Sequence, residues 1–271
     1  MHTPVLLKEA IDGLNVRKGG KYIDATFGEG GYSREILKRG GRVLGIDLDL
    51  NQLKSWRVNE LTSLRLVQGN FSEIEKIAKE NHFFPVEGVV FDLGLSMGQL
   101  NSSVRGFSYQ KLGEPLDMRL DLMSQTTAQE LIKSKTTNEL YEIIAKNSEE
   151  IRSKEIAEEI KRTKKMEKVD DLVRAIDRAV GFSSQKVYAR IFQALRIEVN
   201  DEFNNLKKGL RGAVNILRKN GRVVIVSFHS LEDRVVKNFV REKKLKLVNK
   251  KLIKGKRTFE RSAKLRIIKI I

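Results

Sequence analysis

A glycine-rich turn between two apolar segments is the feature that most constrains how this chain can fold. The run Asp24-Ala25-Thr26-Phe27-Gly28-Glu29-Gly30-Gly31-Tyr32 follows the apolar segment 21–26 and leads into residues with helical spacing. Glycine allows backbone angles and close approaches that a Cβ would prevent. A second apolar segment, 42–47, ends in Asp47. The pattern predicts strand, turn, helix and strand, a unit of parallel sheet that commonly holds a nucleotide-type ligand.

The spacing of the glycines distinguishes between classes of nucleotide site. Gly28, Gly30 and Gly31 form GxGG, whereas GxGxxG is expected where a pyrophosphate binds at a helix N-terminus. No lysine followed by Ser or Thr ends the turn, so a P-loop is not expected. Asp47 can accept hydrogen bonds from both hydroxyls of a ribose. The turn therefore favours an adenosine cofactor without a diphosphate, S-adenosylmethionine, over a dinucleotide or a purely structural turn.

The charge of the chain favours a polyanionic partner. It has 52 Lys and Arg residues against 35 Asp and Glu, which gives a formal net charge of +17. Thirteen basic residues lie between Arg241 and Ile271, where the acids are Glu242 and Glu260. Such a surface gives salt-dependent affinity for RNA or DNA without fixing sequence specificity. A solvated, lysine-rich surface without a partner is the alternative.

Residue types that are absent or rare restrict the chemistry and the location. No apolar run approaches the ~20 residues of a membrane span and no signal segment is evident at the N-terminus, so a cytoplasmic protein without membrane association is expected. The chain has no cysteine and three histidines, so we expect no metal centre. Methylation at carbon 5 of a pyrimidine generally uses an enzyme thiolate. Methyl transfer to nitrogen or oxygen remains, with the base unpaired or flipped.

The order of apolar segments predicts an α/β core with a large insertion. About seven strands are predicted, at 21–26, 42–47, 64–67, 87–92, 222–227, 245–248 and 265–270. Core helices are predicted near 31–39, 50–58 and 72–80, and helices of the insertion at 137–146, 150–161, 169–180 and 185–199. More than a hundred residues separate the fourth and fifth strands, far beyond an ordinary connection. We therefore expect a Rossmann-like core at 1–104 and 199–271, interrupted by a mainly helical domain at 105–198.

Polar and aromatic side chains follow the predicted strands at the edge where ligands bind in open α/β sheets. Asp92 ends the fourth strand and is the candidate proton acceptor for an exocyclic amine, although it equally fits a loop cap. Phe71 follows the third strand and suits either an adenine neighbour or a hydrophobic staple for a helix capped by Ser72. His229 follows the fifth strand, where contact with the target base competes with a structural role. Ser230 there resembles a helix start with a capping-box-like acid.

Seven short motifs occur in order along the chain. They are His2-Thr3-Pro4-Val5-Leu6-Leu7, Asp24-Ala25-Thr26-Phe27-Gly28-Glu29-Gly30-Gly31, Asp92-Leu93-Gly94, Arg105-Gly106-Phe107-Ser108, Pro115-Leu116-Asp117-Met118-Arg119, Phe192-Gln193-Ala194-Leu195-Arg196-Ile197 and Ser227-Phe228-His229-Ser230-Leu231-Glu232-Asp233-Arg234. Together they resemble the bacterial ribosomal RNA small subunit methyltransferase H family. The resemblance implies a class I S-adenosylmethionine-dependent methyltransferase with an inserted helical substrate-recognition domain. It also implies methylation of the N4 amine of a cytidine in the decoding region of 16S rRNA, within the small ribosomal subunit.

The resemblance carries a set of cofactor contacts onto this chain. They are Gly30, Gly31, Tyr32, Asp47, Phe71, Asp92 and Gln99. Two departures from the family stand out, because Tyr32 replaces a common His and the segment 241–261 is shorter than usual. The role of Asp92 as proton acceptor comes from the sheet-edge argument. A non-catalytic RNA-binding assembly factor that retains the fold is the second hypothesis, and a dinucleotide-dependent oxidoreductase is the third.

Overall fold

The computed structural model describes residues 4–49, 62–94, 104–249, 251–255, 257 and 260–270 of the 271-residue chain. The chain divides into two compact units, one formed by Met1–Gly94 with Phe203–Ile271 and the other by Leu95–Glu202. The predicted helix at 50–58 and the candidate cofactor contact Gln99 lie outside the described residues.

The first unit is built on one sheet, which has eight strands in the described part of the chain. They are β1 (Lys21–Asp24), β2 (Arg42–Asp47), β3 (Leu64–Gln68), β4 (Val86–Asp92), β5 (Leu217–Ser227), β6 (Lys246–Leu247), β7 (Ile253–Lys254) and β8 (Lys264–Lys269). Their order is β3-β2-β1-β4-β5-β8-β6, with β7 paired to β8. Strands β1 to β5 pair in parallel, whereas β8 runs antiparallel to β5, β6 and β7.

Two features of this sheet differ from the prediction. Strand β7 has two residues, too few for an alternating pattern to reveal it. Strand β5 begins at Leu217, although Asn220 and Gly221 were expected to end a helix and introduce a strand at Arg222. Its pairing with β4 shifts register between Val86 and Gly88, and Asn220 has a φ of 65°. The chain therefore passes through a local irregularity inside the strand, since Asn tolerates the left-handed conformation.

Helices cover both faces of the sheet in the first unit. They are α1 (Leu7–Leu14), α2 (Gly31–Lys38), α3 (Ile74–Glu80), α9 (Glu202–Ile216) and α10 (Ser230–Glu242). Side chains alternate between the faces of a strand. Tyr22, Val90 and Val224 therefore pack with α1 and α2, whereas Ile23 and Val89 pack with α3, α9 and α10. The result is a three-layer α/β arrangement with the sheet buried in the middle.

The second unit is helical around its own apolar core. Its helices in the described residues are α4 (Ala128–Ser134), α5 (Thr137–Ser148), α6 (Ser153–Arg162), α7 (Val169–Val180) and α8 (Gln185–Val199). Thr127 with Glu130, and Thr136 with Glu139, form capping boxes that satisfy the first backbone N–H groups of α4 and α5. Helices α7 and α8 have the bounds that the sequence pattern predicted.

The sheet brings the candidate site residues to one edge. Asp24 of β1 pairs in register with Gly45 of β2 and Val90 of β4, and Asp92 ends β4 beside Val226 of β5. The carboxyl ends of parallel strands share one edge, which is where open α/β sheets bind ligands. Among the described helices, none combines the length and apolarity needed to cross a membrane.

Candidate functional site

The glycine turn is held against the end of β2 by hydrogen bonds that its backbone N–H groups donate. Gly28 and Gly30 have φ angles of 51° and 70°, a left-handed conformation that glycine adopts at little cost. The Gly28 N–H donates to Asp47 Oδ2 at 2.7 Å, and the Phe27 N–H donates to the Ile46 carbonyl oxygen at 2.9 Å. The turn and the predicted ribose-binding carboxylate are therefore joined directly by hydrogen bonds.

Asp47 keeps the acceptor capacity that a ribose contact needs. Its Oδ1 accepts the N–H of Asp49 at 2.8 Å and its Oδ2 accepts that of Gly28. The Leu48 backbone is a third partner, and because each carboxylate oxygen has two lone-pair sites, the group retains acceptor capacity for a hydroxyl. Burial raises the pKa of Asp47, while the hydrogen bonds from the backbone of Asp49 and Gly28 oppose that effect.

Two predicted cofactor contacts, Gly31 and Tyr32, face the N-terminal segment of the chain. A Cβ at Gly31 would lie 2.0 Å from Pro4 Cγ, so glycine is required there by the packing of Pro4. The buried Tyr32 side chain donates its hydroxyl to the Val5 carbonyl oxygen at 2.5 Å. Burial, followed by the charges of Asp92 and Asp24, raises the pKa of Tyr32 well above its usual value. The phenol is therefore neutral and acts as a donor.

Asp92 lies at the centre of the sheet edge. Its backbone N–H donates to Thr26 Oγ1 at 2.7 Å, which links β4 to the glycine turn. Its Oδ1 is shielded from solvent and has no hydrogen-bond partner among the residues that the structure describes. Burial and then the charge of Asp24 raise the pKa of Asp92 to about 7. A buried oxygen without a partner is costly, which is typical of a position reserved for a ligand group.

Sequence reasoning missed Asp24 as a member of this site. Asp24 is fully buried, and its Oδ2 accepts the Ser33 hydroxyl at 2.6 Å. Burial raises its pKa to about 6. The available signal was an acid at the end of a buried strand immediately before the glycine turn, since acids are seldom fully buried without a specific purpose.

The described contacts of Phe71 are packing contacts. Phe71 begins a short 3₁₀ helix, Phe71–Glu73, whose N-cap is Asn70. The Asn70 side chain accepts the Ser72 N–H at 2.8 Å, so Asn70 is the cap in place of the expected Ser72. The ring meets Phe91 edge to face at a centroid distance of 5.7 Å and lies against Gly209 of α9. Contact with an adenine ring stays a prediction.

His229 caps a helix in this structure. Its Nδ1 accepts the N–H of Glu232 at 3.4 Å, and Glu232 in turn accepts the N–H groups of Phe228 and His229. This capping box begins α10. The helix begins at Ser230 as expected, but the capping pair is His229 with Glu232 and not Ser230 with Asp233.

The residues at this edge fit an adenosine-containing methyl donor. A Cβ at Gly28 would meet no atom closer than the Thr26 carbonyl oxygen at 3.9 Å, so the backbone there is open to close approach. Asp47 offers hydroxyl acceptors, and Asp92 Oδ1 offers a shielded acceptor for an amine. The geometry suits transfer of a group to a polar hydrogen-bearing atom at the edge of the sheet.

Comparison with known proteins identifies the family. The model of the MraW methylase family matches residues 1–270. Ribosomal RNA small subunit methyltransferase H of Carboxydothermus hydrogenoformans is 42% identical over 251 residues, which cover 89% of this chain and 80% of that protein. The protein of the same name from Halothermothrix orenii is 38% identical and covers 98% of this chain and 97% of its own length.

A solved structure gives a likeness of fold. An rRNA methylase from Streptococcus thermophilus matches with a TM-score of 0.50 at 9% identity, covering 100% of this chain and 99% of that one. The predicted Rossmann-like α/β fold is confirmed by the observed sheet and this likeness. The predicted family is confirmed as well: this chain belongs to the MraW methylase family, together with the ribosomal RNA small subunit methyltransferases H.

Proposed function

We propose that this chain transfers a methyl group from S-adenosylmethionine to the N4 amine of a cytidine in the decoding region of 16S rRNA, with the RNA carried by the small ribosomal subunit. The observation that carries the proposal is Asp92 Oδ1, a shielded acceptor without a described partner at the sheet edge. Family membership supports methyl transfer, and the names of the relatives refer to small subunit ribosomal RNA. The net charge of +17 supports a polyanionic substrate.

The first residues to act are those that bind the methyl donor, which supplies an electrophilic methyl group bonded to sulfur. Asp47 accepts hydrogen bonds from the ribose hydroxyls through the lone pairs that its backbone partners leave unused. The left-handed Gly28 and Gly30 keep side chains away from the donor. Binding on this hydrogen-bonded turn would lower the entropic cost of aligning the methyl carbon with the attacking nitrogen.

Asp92 then serves as the proton acceptor. Transfer of the methyl group to the amine nitrogen would break the bond between that carbon and sulfur, and Asp92 Oδ1 would take the amine proton that is released. An acceptor works best when its pKa lies near the working pH, and burial together with the charge of Asp24 raises the pKa of Asp92 to about 7. The absence of cysteine is consistent with nitrogen as the target, because no covalent enzyme intermediate is required.

RNA recognition is assigned to two parts of the chain in this proposal. The helical domain expected at 105–198 contributes substrate recognition, and the basic C-terminal segment contributes phosphate contacts. The cytidine enters the site unpaired or flipped, because its amine cannot reach a buried acceptor from within a helix.

The decisive experiment is transfer of labelled methyl from S-adenosylmethionine to 30S subunits that lack the modification, followed by nucleoside analysis by mass spectrometry. N4-methylcytidine is the expected product. Label on another nucleoside would overturn the assigned target atom, and bound cofactor without label would favour the assembly-factor hypothesis.

The same assay tests the role of Asp92. Asp92→Asn keeps the shape of the side chain but cannot accept the proton, so the rate of methyl transfer should fall about 10²- to 10⁴-fold. Asp12→Asn is the matched control, because Asp12 is a partly exposed acid of α1 that pairs with Lys8 and Arg39. Full activity of Asp92→Asn with S-adenosylhomocysteine binding intact would exclude Asp92 as the acceptor.

A further inference from the structure

The segment 4–6 packs directly onto the glycine turn. Val5 and Leu6 are 6% and 3% exposed, and Pro4 occupies the space that a Cβ at Gly31 would need. Gly31 is the first residue of α2 and follows the left-handed Gly30. The N-terminal segment is therefore in contact with the part of the turn that the proposed methyl donor approaches.

Two hydrogen bonds hold this segment, and they come from widely separated parts of the chain. The Tyr32 hydroxyl donates to the Val5 carbonyl oxygen at 2.5 Å. Glu260 Oε1 accepts the Leu6 N–H at 3.0 Å across 254 positions of sequence. Adjacent backbone groups of the segment are thus fixed from both sides, one by α2 and one by the C-terminal segment.

Glu260 is itself held in a tight turn. Its N–H donates to the Arg257 carbonyl oxygen at 2.9 Å, and its carbonyl oxygen accepts the Ala263 N–H at 2.8 Å. The side chain of Glu260 is buried, with 5% of the residue exposed. A Glu residue is rarely buried unless its carboxylate is paired, and here Oε1 accepts the Leu6 N–H while Oε2 accepts the Arg257 N–H at 3.4 Å.

The backbone of Leu6 carries strain at the same point. Its φ of 50° is left-handed, which is uncommon for a residue with a branched side chain. Leu6 is the N-cap of α1, yet no side chain caps that helix there. Strain of this kind persists where surrounding contacts enforce it, and such positions cluster at ligand sites.

We infer that Tyr32 and Glu260 are positioning residues that hold segment 4–6 against Gly31 as a fixed wall of the methyl-donor pocket. This inference rests on the proposed function. It also assigns the Tyr32 side chain, which replaces a common His of the family, a role that the sequence left undetermined. Tyr32 holds the segment through Val5, and Glu260 holds it through Leu6; the Tyr32 hydroxyl also lies beside Asp92 and lowers the pKa of that carboxyl.

Three variants test the two hydrogen bonds that hold segment 4–6. Tyr32→Phe removes the hydroxyl, and Glu260→Ala removes the carboxylate. Glu260→Gln keeps an amide oxygen that can accept the Leu6 N–H, so it should restore most of the wild-type behaviour and remains informative if Glu260→Ala folds poorly.

Two control variants delete equivalent groups elsewhere. Tyr22→Phe removes a hydroxyl that accepts the Arg17 N–H at 2.8 Å, near the amino end of β1. Glu130→Ala removes a carboxylate that accepts the Thr127 N–H at 2.7 Å in the other unit.

The test combines amide hydrogen exchange of the ligand-free chain with calorimetric binding of S-adenosylhomocysteine. In Tyr32→Phe and Glu260→Ala, exchange at the Leu6 N–H should accelerate and the Kd for S-adenosylhomocysteine should rise, each about three- to tenfold, as expected for removal of one hydrogen bond. The two controls should keep the wild-type Kd and Leu6 exchange.

Faster Leu6 exchange with an unchanged Kd would overturn the inference, because the segment would then not form part of the pocket. Unchanged exchange in both variants would overturn it as well. If the wild-type chain bound neither S-adenosylhomocysteine nor S-adenosylmethionine, the proposed function itself would fail, so the two failures are distinguishable.

Discussion

Asp24 and Asp92 are two carboxyl groups with raised pKa values at neighbouring strand ends. Burial raises the pKa of Asp24 to about 6, and burial with the charge of Asp24 raises that of Asp92 to about 7. The negative charge of Asp24 disfavours ionisation of Asp92, whereas the charge that raises the pKa of Asp24 is that of Asp47. Asp24 therefore tunes the group that we propose as the proton acceptor.

The pH dependence of methyl transfer should report this coupling. Asp92 must be ionised to accept a proton, and its pKa is about 7. The value of kcat/KM should therefore fall as the pH drops below about 7 and rise as the pH increases through it. Asp24→Asn removes a negative charge that raises the pKa of Asp92, so the acidic limb should move to lower pH. The measurement is a pH profile of both proteins, with Asp12→Asn as a control that should match the wild type. A limb that stayed in place in Asp24→Asn would contradict the coupling.

At the scale of elements, the glycine turn is shaped by packing between β2 and the turn itself. A Cβ at Gly45 of β2 would lie 2.4 Å from Phe27 Cδ2 and 2.8 Å from Leu66 Cδ2. Phe27 belongs to the turn and is 2% exposed. The absence of a side chain at Gly45 therefore lets the Phe27 ring pack directly against β2. Asp47 lies two residues further along the same strand.

Gly45→Ala should disturb this packing. Because the Phe27 ring must shift, we expect a loss of about 1–3 kcal/mol in the free energy of unfolding, together with weaker binding of S-adenosylhomocysteine. Urea denaturation and calorimetry measure the two effects. Gly113→Ala is the matched control, because a Cβ there would meet no atom within 4 Å. Equal stability of the two variants would show that the turn adapts without cost.

At the scale of the whole molecule, some of the excess basic residues lie opposite one another in the last strands of the sheet. Lys254 of β7 lies opposite Lys264 of β8, and Lys246 of β6 lies opposite Lys269. Like charges directly opposite each other destabilise a sheet. Among the described residues, neither Lys254 nor Lys264 has a carboxylate within ion-pair distance. Lys264 is also in register with Ser227, at the same edge as the site.

Lys254 and Lys264 should contribute phosphate contacts to RNA binding. The double change to Ala should weaken binding of a 16S rRNA fragment and reduce the slope of log affinity against log salt concentration by about 0.7 for each phosphate that the variant no longer neutralises. Fluorescence anisotropy at several salt concentrations measures the slope. Lys79→Ala serves as the control, since Lys79 pairs with Glu75 at 2.6 Å. An unchanged slope in the double variant would place the phosphate-binding residues elsewhere.

Much of the fold and part of the site could be predicted from the sequence because the signals are local. Apolar runs indicated the strands that became β1, β2 and β4, and the strand ends placed Asp47 and Asp92 at one edge. The capping of α10 by His229 was less predictable, since capping at Ser230 fits the same sequence. Strand β7, which has two residues, carries too short a pattern to detect.

By itself, the sequence determined that the glycine turn permits left-handed backbone, which apolar segments form the central strands and how strongly basic the chain is. These properties depend on neighbouring residues or on simple counts. Only the tertiary structure decided that Asp92 Oδ1 is shielded without a described partner, that Tyr32 bonds to Val5, and that Glu260 reaches Leu6. Desolvation and long-range hydrogen bonds depend on which distant segments pack together, and local pattern carries no information about that.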